Sequence, residues 1–153
     1  MRTRVGERIR VLLVEDHVLV RQGLRKVLEA EPGIEVVDDV GDGETGVEAA
    51  FRLQPNVIVL DIGLPGINGI EAASRILRRM GNVAILMLSM HGDEFYVRRS
   101  LKAGAKGYVL KDAEEIEIVR AVTAVAHGDS YLSPALHPML LSGFLASQQR
   151  AQG

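Results

Sequence analysis

Hydrophobic and polar positions along this chain follow two alternating periods. Five short runs, Ile9 to Val14, Ile34 to Val40, Val57 to Leu60, Val83 to Leu88 and Gly107 to Leu110, are rich in Val, Ile and Leu with few polar breaks. Runs of that length and composition predict strands covered on both faces. Between and after them the apolar positions recur with the helical period. In the first such stretch Val20, Leu24, Val27 and Leu28 share one side, Arg21, Gln22, Arg25, Lys26 and Glu29 take the other, and Pro32-Gly33 stops it. The second runs from about Gly43 to Leu53 and ends before Pro55. The third sets Ile70, Ala73, Ile76, Leu77 and Met80 against Arg75, Arg78 and Arg79. The fourth spans roughly Asp93 to Ala103, with Gly104 as its stop, and the fifth about Ala113 to Ala126. Glu114, Glu115 and Glu117 open the fifth, where negative charge suits the positive end of the helix dipole.

Apolar strands joined by single helices imply parallel pairing with right-handed crossovers. The predicted fold is an α/β doubly wound five-stranded parallel sheet in the order 2-1-3-4-5. In such a sheet ligands bind beyond the carboxyl ends of the strands, where the strand order reverses between strands one and three. Glu15 and Asp16 follow strand one and Asp61 follows strand three; Ser89 and Lys111, after strands four and five, face the same crevice. Residues 1–8 read as an N-terminal extension and 9–127 as the domain. Beyond it, His127 to Pro134 reads as a turn-rich connector, and Leu136, Met139, Leu140 and Leu141 line one side of a short linker helix before a polar tail.

Composition narrows the function classes. The chain has 153 residues, 47% hydrophobic and 25% charged, which suits one domain with its own core. A net charge of -2 offers no basic field for a nucleic-acid backbone, so DNA binding by this segment is not expected. With no cysteine, disulfides and thiolate metal sites are excluded. No run approaches the length of a membrane span, and residues 1–8 lack the apolar stretch of a secretory signal; a cytoplasmic location without membrane contact is the expectation.

Three clustered carboxylates repel one another unless a cation or a retained proton offsets them. Glu15, Asp16 and Asp61, joined by a hydroxyl and an amine, form a set suited to phosphoryl transfer. Asp61 is the candidate nucleophile, giving an acyl phosphate. Glu15 and Asp16, with Asp61, would hold Mg2+, an ion that takes few carboxylates and bridges to phosphate oxygen. Lys111 and Ser89 would stabilise the phosphoryl oxygens.

Four blocks carry a resemblance. Val11-Leu-Leu-Val-Glu-Asp-His17, Val57-Ile-Val-Leu-Asp-Ile-Gly-Leu-Pro-Gly-Ile-Asn-Gly69, Ile85-Leu-Met-Leu-Ser89 and Gly104-Ala-Lys-Gly-Tyr-Val-Leu-Lys-Asp112 resemble the receiver domain of two-component response regulators. The resemblance implies that Asp61 is the phosphoacceptor, Glu15 and Asp16 the acidic pair, Ser89 and Tyr108 the switch residues, and Lys111 the lysine that steadies the phosphoryl group. It also implies a sensor histidine kinase as partner. Separately, kinase docking is expected on the first helix, where Val18 and Arg21 flank the acidic pocket, and phosphorylation is expected to shift homodimerisation or release an output domain. Tyr108-Val-Leu-Lys-Asp-Ala113 and Gly128-Asp-Ser-Tyr-Leu-Ser-Pro134 look like the NarL/LuxR-type subfamily, whose members usually continue into a helix-turn-helix DNA-binding domain. The residues after Ala146 are too few for such a domain, so residues 128–153 are expected to be a linker toward a missing output module; a stand-alone receiver is the alternative. Two features depart from the commoner pattern. Asp112 stands where many receivers have Pro, which leaves the Lys111–Asp112 isomer open, and Gly63 and His91 occupy variable positions that tune acyl phosphate lifetime.

Each residue also has an ordinary explanation. Asp16 can cap the following helix, Asp61 can be a turn acid, Lys111 a solvated lysine, Ser89 a strand terminus and Tyr108 core packing. His17 and His91 lack a paired ligand spacing and read as surface histidines. Rival functions are an acyl-phosphate hydrolase, which needs a second Asp where Gly63 stands, and a flavodoxin-like nucleotide module, which needs a glycine loop where Glu15-Asp16-His17 stands.

Overall fold

The computed structural model describes residues 7–90 and 92–143. Its elements alternate as β1 (Ile9–Val14), α1 (Val18–Glu29), β2 (Ile34–Val40), α2 (Gly43–Leu53), β3 (Val57–Asp61), α3 (Gly69–Arg79), β4 (Ala84–Ser89), α4 (Glu94–Lys102), β5 (Gly107–Leu110), α5 (Glu115–Ala126) and β6 (Tyr131–Leu132). A 3-10 turn, Pro134–Leu136, leads into helical residues 137–143. The strands form one parallel sheet in the order β2-β1-β3-β4-β5-β6.

The doubly wound order is as expected, with one addition. The segment read as a connector supplies a sixth strand, two residues long, held where the Tyr131 N–H donates to the Lys106 carbonyl and the Ser133 N–H to that of Tyr108, both at 3.0 Å. Boundaries also move slightly. β3 and β4 each extend one residue further, to Asp61 and Ser89, so both candidate residues are the last of a strand. α5 begins at Glu115, because Ala113 closes a turn onto the Leu110 carbonyl before the helix starts.

Strand alternation divides the core into two layers. Val11, Leu13, Val57, Val59, Leu86, Leu88 and Val109 face α1 and α5, where Leu24, Leu28, Ile118, Val122 and Val125 meet them. Leu12, Val14, Ile58, Leu60, Ile85, Met87 and Tyr108 face the other way, against Ala49 and Ala50 of α2, Ala73 and Ile76 of α3, and Val97 of α4. In α1, Leu24 and Leu28 are buried as their spacing predicts, whereas Val20 stays exposed near the open end of the sheet.

Two backbone features position the site. β2 carries a bulge: Val11 pairs with Val36 but Leu12 with Asp38, so Val37 is the extra residue. A bulge reverses the alternation beyond it, and Asp39, opposite Leu13, therefore points toward α1. The second feature is the start of α3. A Cβ at Gly69 would lie 2.2 Å from the Asp61 carbonyl oxygen, so only glycine lets the helix begin this close to the end of β3.

Candidate functional site

The carboxyl ends of β1, β3, β4 and β5 bring Glu15, Asp61, Ser89 and Lys111 together, with Asp16 at the rim. Asp61 is nearly buried and its carboxylate is held on two sides. Lys111 Nζ lies 3.0 Å from Oδ2, and the Gly63 N–H donates to Oδ1 at 3.0 Å. Glu15 is fully buried; its Oε1 accepts from Lys111 Nζ at 3.1 Å and from the His17 N–H at 3.3 Å. Asp16, His17, Asp61, Gly63, Ser89, Met90 and Lys111 line a cleft of about 120 Å³. Wider clefts at the opposite, amino end of the strands, such as that between Asn56 and Asn82, contain none of these groups.

The charges are unevenly shared. Burial, then the hydrogen bond and charge of the neighbouring Asp61, push the Glu15 carboxyl up to about 7, with Lys111 pulling the other way. For Asp61 burial also works upward, but hydrogen bonds with Glu15, Lys111 and the Gly63 N–H overcome it and hold the carboxyl below the usual carboxylate range. Lys111 is raised above its ordinary value, because its bonds to Asp61 and Glu15 outweigh burial. At neutral pH the nucleophile candidate is thus an anion with an ammonium beside it, while Glu15 is divided between its acid and its anion.

Whether a divalent cation fits can be tested on Glu15. Its Oε2 is buried with no well-aligned hydrogen bond, although Lys111 Nζ lies 3.0 Å away as an ion-pair partner. A buried carboxylate oxygen so incompletely engaged has acceptor capacity to spare for a cation. Oxygen atoms of Glu15 and Asp16, together with a ring nitrogen of His17, lie within 4.8 Å of one another. Hard carboxylate oxygens with spare acceptor capacity suit Mg2+. Asp61, expected as a third carboxylate ligand, is not part of that cluster, and its Oδ2 is paired with Lys111 Nζ at 3.0 Å. His17, expected only at the surface, is highly exposed yet lies with Nδ1 3.7 Å from Glu15 Oε1 and 3.9 Å from Asp16 Oδ1. It also precedes α1 as its capping residue, so Asp16 is not the helix cap.

Ser89 and Tyr108 lie on the same face of the sheet, as the alternation along β4 and β5 requires. Their side chains share a hydrogen bond, and Tyr108 is fully buried, with burial the main cause of its raised hydroxyl pKa. The ring of Tyr108, expected as a switch residue, is thus packed inside the core here. The Lys111–Asp112 peptide is trans. His91 lies outside the described residues.

This arrangement has known counterparts. The response regulator receiver domain family matches residues 11–123. The chain belongs to that family. Among curated relatives, the transcriptional regulatory protein DegU of Brevibacillus brevis is 39% identical over 145 residues, 94% of this chain and 61% of DegU. LiaR of Bacillus subtilis is 38% identical over 143 residues, 94% of this chain and 68% of LiaR. A LuxR-family two-component response regulator from Aurantimonas sp. SI85-9A1 superimposes with a TM-score of 0.87 at 32% identity, covering 91% of this chain and 99% of that one. The receiver domain described here thus spans about three fifths of DegU.

The sequence reading set Arg21 beside the acidic pocket for kinase docking and gave Asp39 no role, and in the structure the two are joined next to the site. Arg21 is turned into the molecule: its Nε donates to Asp39 Oδ1 at 2.9 Å and its NH1 to the Glu15 carbonyl at 2.7 Å. Asp39 also receives Arg25. Helical period alone puts Arg21 on the polar side of α1; only the bulge in β2 brings an acid to meet it.

Proposed function

We propose that this receiver is a phosphorylation-activated switch in which Asp61 accepts a phosphoryl group from a sensor histidine kinase. The observation that carries the reading is the state of Asp61: a buried carboxylate, held anionic, opening on a small cleft with Lys111 Nζ 3.0 Å away. An Asp61 oxygen attacks phosphorus as the bond from phosphorus to the kinase histidine nitrogen breaks, and the electron pair leaves with that nitrogen. Lys111 offsets negative charge on a phosphoryl oxygen, and the Gly63 N–H steadies the other Asp61 oxygen. Glu15 and Asp16 would hold Mg2+, which supplies charge neutralisation at the phosphoryl oxygens. The protein is not an enzyme in the ordinary sense, because the product stays on its own side chain, although the same groups promote both gain and hydrolysis of the phosphate.

Phosphorylation adds charge and acceptor oxygens at Asp61. The Ser89 hydroxyl has one proton to donate, so bonding to the phosphoryl group requires its link to Tyr108 to be one that Ser89 accepts, and the movement of the hydroxyl toward the phosphoryl group strains that link. The α4, β5 and α5 surface is the natural place for that change to be read as homodimerisation or release of an output domain. The names of DegU and LiaR, both transcriptional regulatory proteins, support transcriptional regulation as the output. In that reading DNA is contacted by a module other than this receiver, in the cytoplasm. Among the described residues no helix is long and apolar enough to cross a membrane.

Intact-mass measurement after treatment with acetyl phosphate and Mg2+ tests the reading. A single phosphate adduct on the wild type, absent from Asp61→Asn, is expected. An adduct that survives the substitution refutes the assignment, and steady release of free phosphate without an adduct favours the hydrolase.

A further inference from the structure

The guanidinium of Arg21 bridges two elements that the reaction needs to be still. One nitrogen binds Asp39, near the end of β2, and another binds the carbonyl of Glu15, at the end of β1. The side chain is only 18% exposed, and Asp39 is 22% exposed. Gly41 leaves room for it: a Cβ there would stand 3.0 Å from Arg21 NH1. The same Glu15 residue donates its N–H to the Val40 carbonyl at 3.0 Å. Because a peptide unit is planar, fixing the Glu15 carbonyl oxygen also fixes the N–H and Cα of Asp16. The base of the Asp16 carboxylate is therefore aimed by Arg21 through the Glu15 carbonyl.

We propose that Arg21 is a positioning residue for the acidic site, orienting the Glu15–Asp16 peptide so that both carboxylates converge on one cation, with Asp39 and the β2 bulge as its anchor. The inference rests on reading Glu15 and Asp16 as Mg2+ ligands. It gives the bulge a purpose, since without the extra residue at Val37, Asp39 would face α2 and leave the guanidinium unanchored. It also separates Arg21 from partner recognition: a largely covered, doubly engaged guanidinium is not free to greet a kinase.

The test is calorimetric titration of the whole chain with Mg2+, below the unfolding range of every variant. Arg21→Lys keeps the charge but cannot span both acceptors, and Asp39→Ala removes the acceptor of the Arg21 Nε bond and so releases the anchor. Each is expected to weaken Mg2+ binding about tenfold, the usual effect of losing an outer partner of a metal ligand. The double variant should be no weaker than either single one, because the two residues act through one contact. Acetyl phosphate phosphorylation at limiting Mg2+ should slow in parallel and recover at saturating Mg2+. Wild-type Mg2+ affinity in the folded single variants, with only a lower unfolding midpoint, would show a merely structural role and overturn the proposal. Slower transfer from a kinase with unchanged Mg2+ affinity would overturn it in favour of docking. Asp16→Asn provides the control for the site itself: if it binds Mg2+ as wild type does, the metal reading falls first and takes this inference with it.

Discussion

At the scale of single residues, the site is an electrostatic compromise among Glu15, Asp61 and Lys111, and the compromise has a pH signature. The Glu15 carboxyl, ordinarily near 4.5, is raised to about 7 in the folded protein, chiefly by burial. Between those values the folded state holds a proton that the unfolded state has released, so stability falls as pH rises. This contribution is fully present below about 4.5 and is lost as the pH passes about 7. The lowered carboxyls of Asp42 and Asp61 act in the opposite sense but only toward acid, below their ordinary 3.8. Denaturant unfolding in Mg2+-free buffer should therefore show a midpoint that declines across this window, and Glu15→Gln should flatten it. A decline that persists in the variant would place the titrating group elsewhere. Lys111→Met makes the complementary prediction. Without the ammonium, burial acts on Asp61 against only the hydrogen bonds of Glu15 and the Gly63 N–H, and its carboxyl should rise toward the usual range, as read from its carbon-13 chemical shift. No upward movement would mean that Lys111 does not hold the nucleophile ionised.

At the scale of elements, the strands and helices that carry the site were legible because each has a continuous hydrophobic signal, and Glu15, Asp16, Asp61, Ser89 and Lys111 could be read from their places at strand ends. What escaped depends on contacts distant in sequence. β6 is two residues long with no period of its own and exists because Lys106 and Tyr108 offer carbonyls to it. The β2 bulge has no local marker, so the pairing of Asp39 with Arg21 was invisible. The role of Gly69 was also hidden, although the residue was conspicuous within its block, since only the fold shows what lies against it. Replacing Gly69 by Ala forces a methyl group into the Asp61 backbone, and urea unfolding should register a loss of about 3 kcal/mol, typical of severe overpacking. Ser133 is a second such joint. Its buried hydroxyl donates to Glu117 Oε1 at 2.8 Å and accepts the Leu110 N–H at 3.1 Å, tying β6 to β5 and α5. Ser133→Ala leaves the Leu110 N–H without that acceptor and should lower stability by about 1 to 3 kcal/mol, with β6 losing hydrogen-exchange protection first. Unchanged protection there would show that the joint is not what seats the strand.

At the scale of the whole molecule, the chain that leaves the receiver does so across the surface closest to its switch residues. Tyr108 shares a hydrogen bond with Ser89 through its side chain and holds the Ser133 N–H through its backbone carbonyl. Leu136 is buried; a Cβ at Gly92, beyond β4, would lie 3.2 Å from its side chain. Helical residues 137–143 continue beside α4, where a Cβ at Gly143 would meet the Arg98 guanidinium. A change at Ser89 can thus reach residues 131–143 by two short routes, through Tyr108 and through the loop before α4. When an acceptor on Asp61 draws the Ser89 hydroxyl, the Tyr108 ring loses a partner inside the core, and the cheapest response is a shift of β5 with the strand hydrogen-bonded to its edge. Hydrogen exchange with and without beryllofluoride and Mg2+ should show residues 131–136 exchanging several-fold faster in the loaded form, and Tyr108→Phe, which removes the shared bond but keeps the ring, should shrink that difference. Equal exchange in both forms would confine the phosphoryl signal to the cleft and remove the C-terminal segment from the output path. A change confined to residues 137–143 would leave only the route through the α4 loop, with β6 as a passive seat.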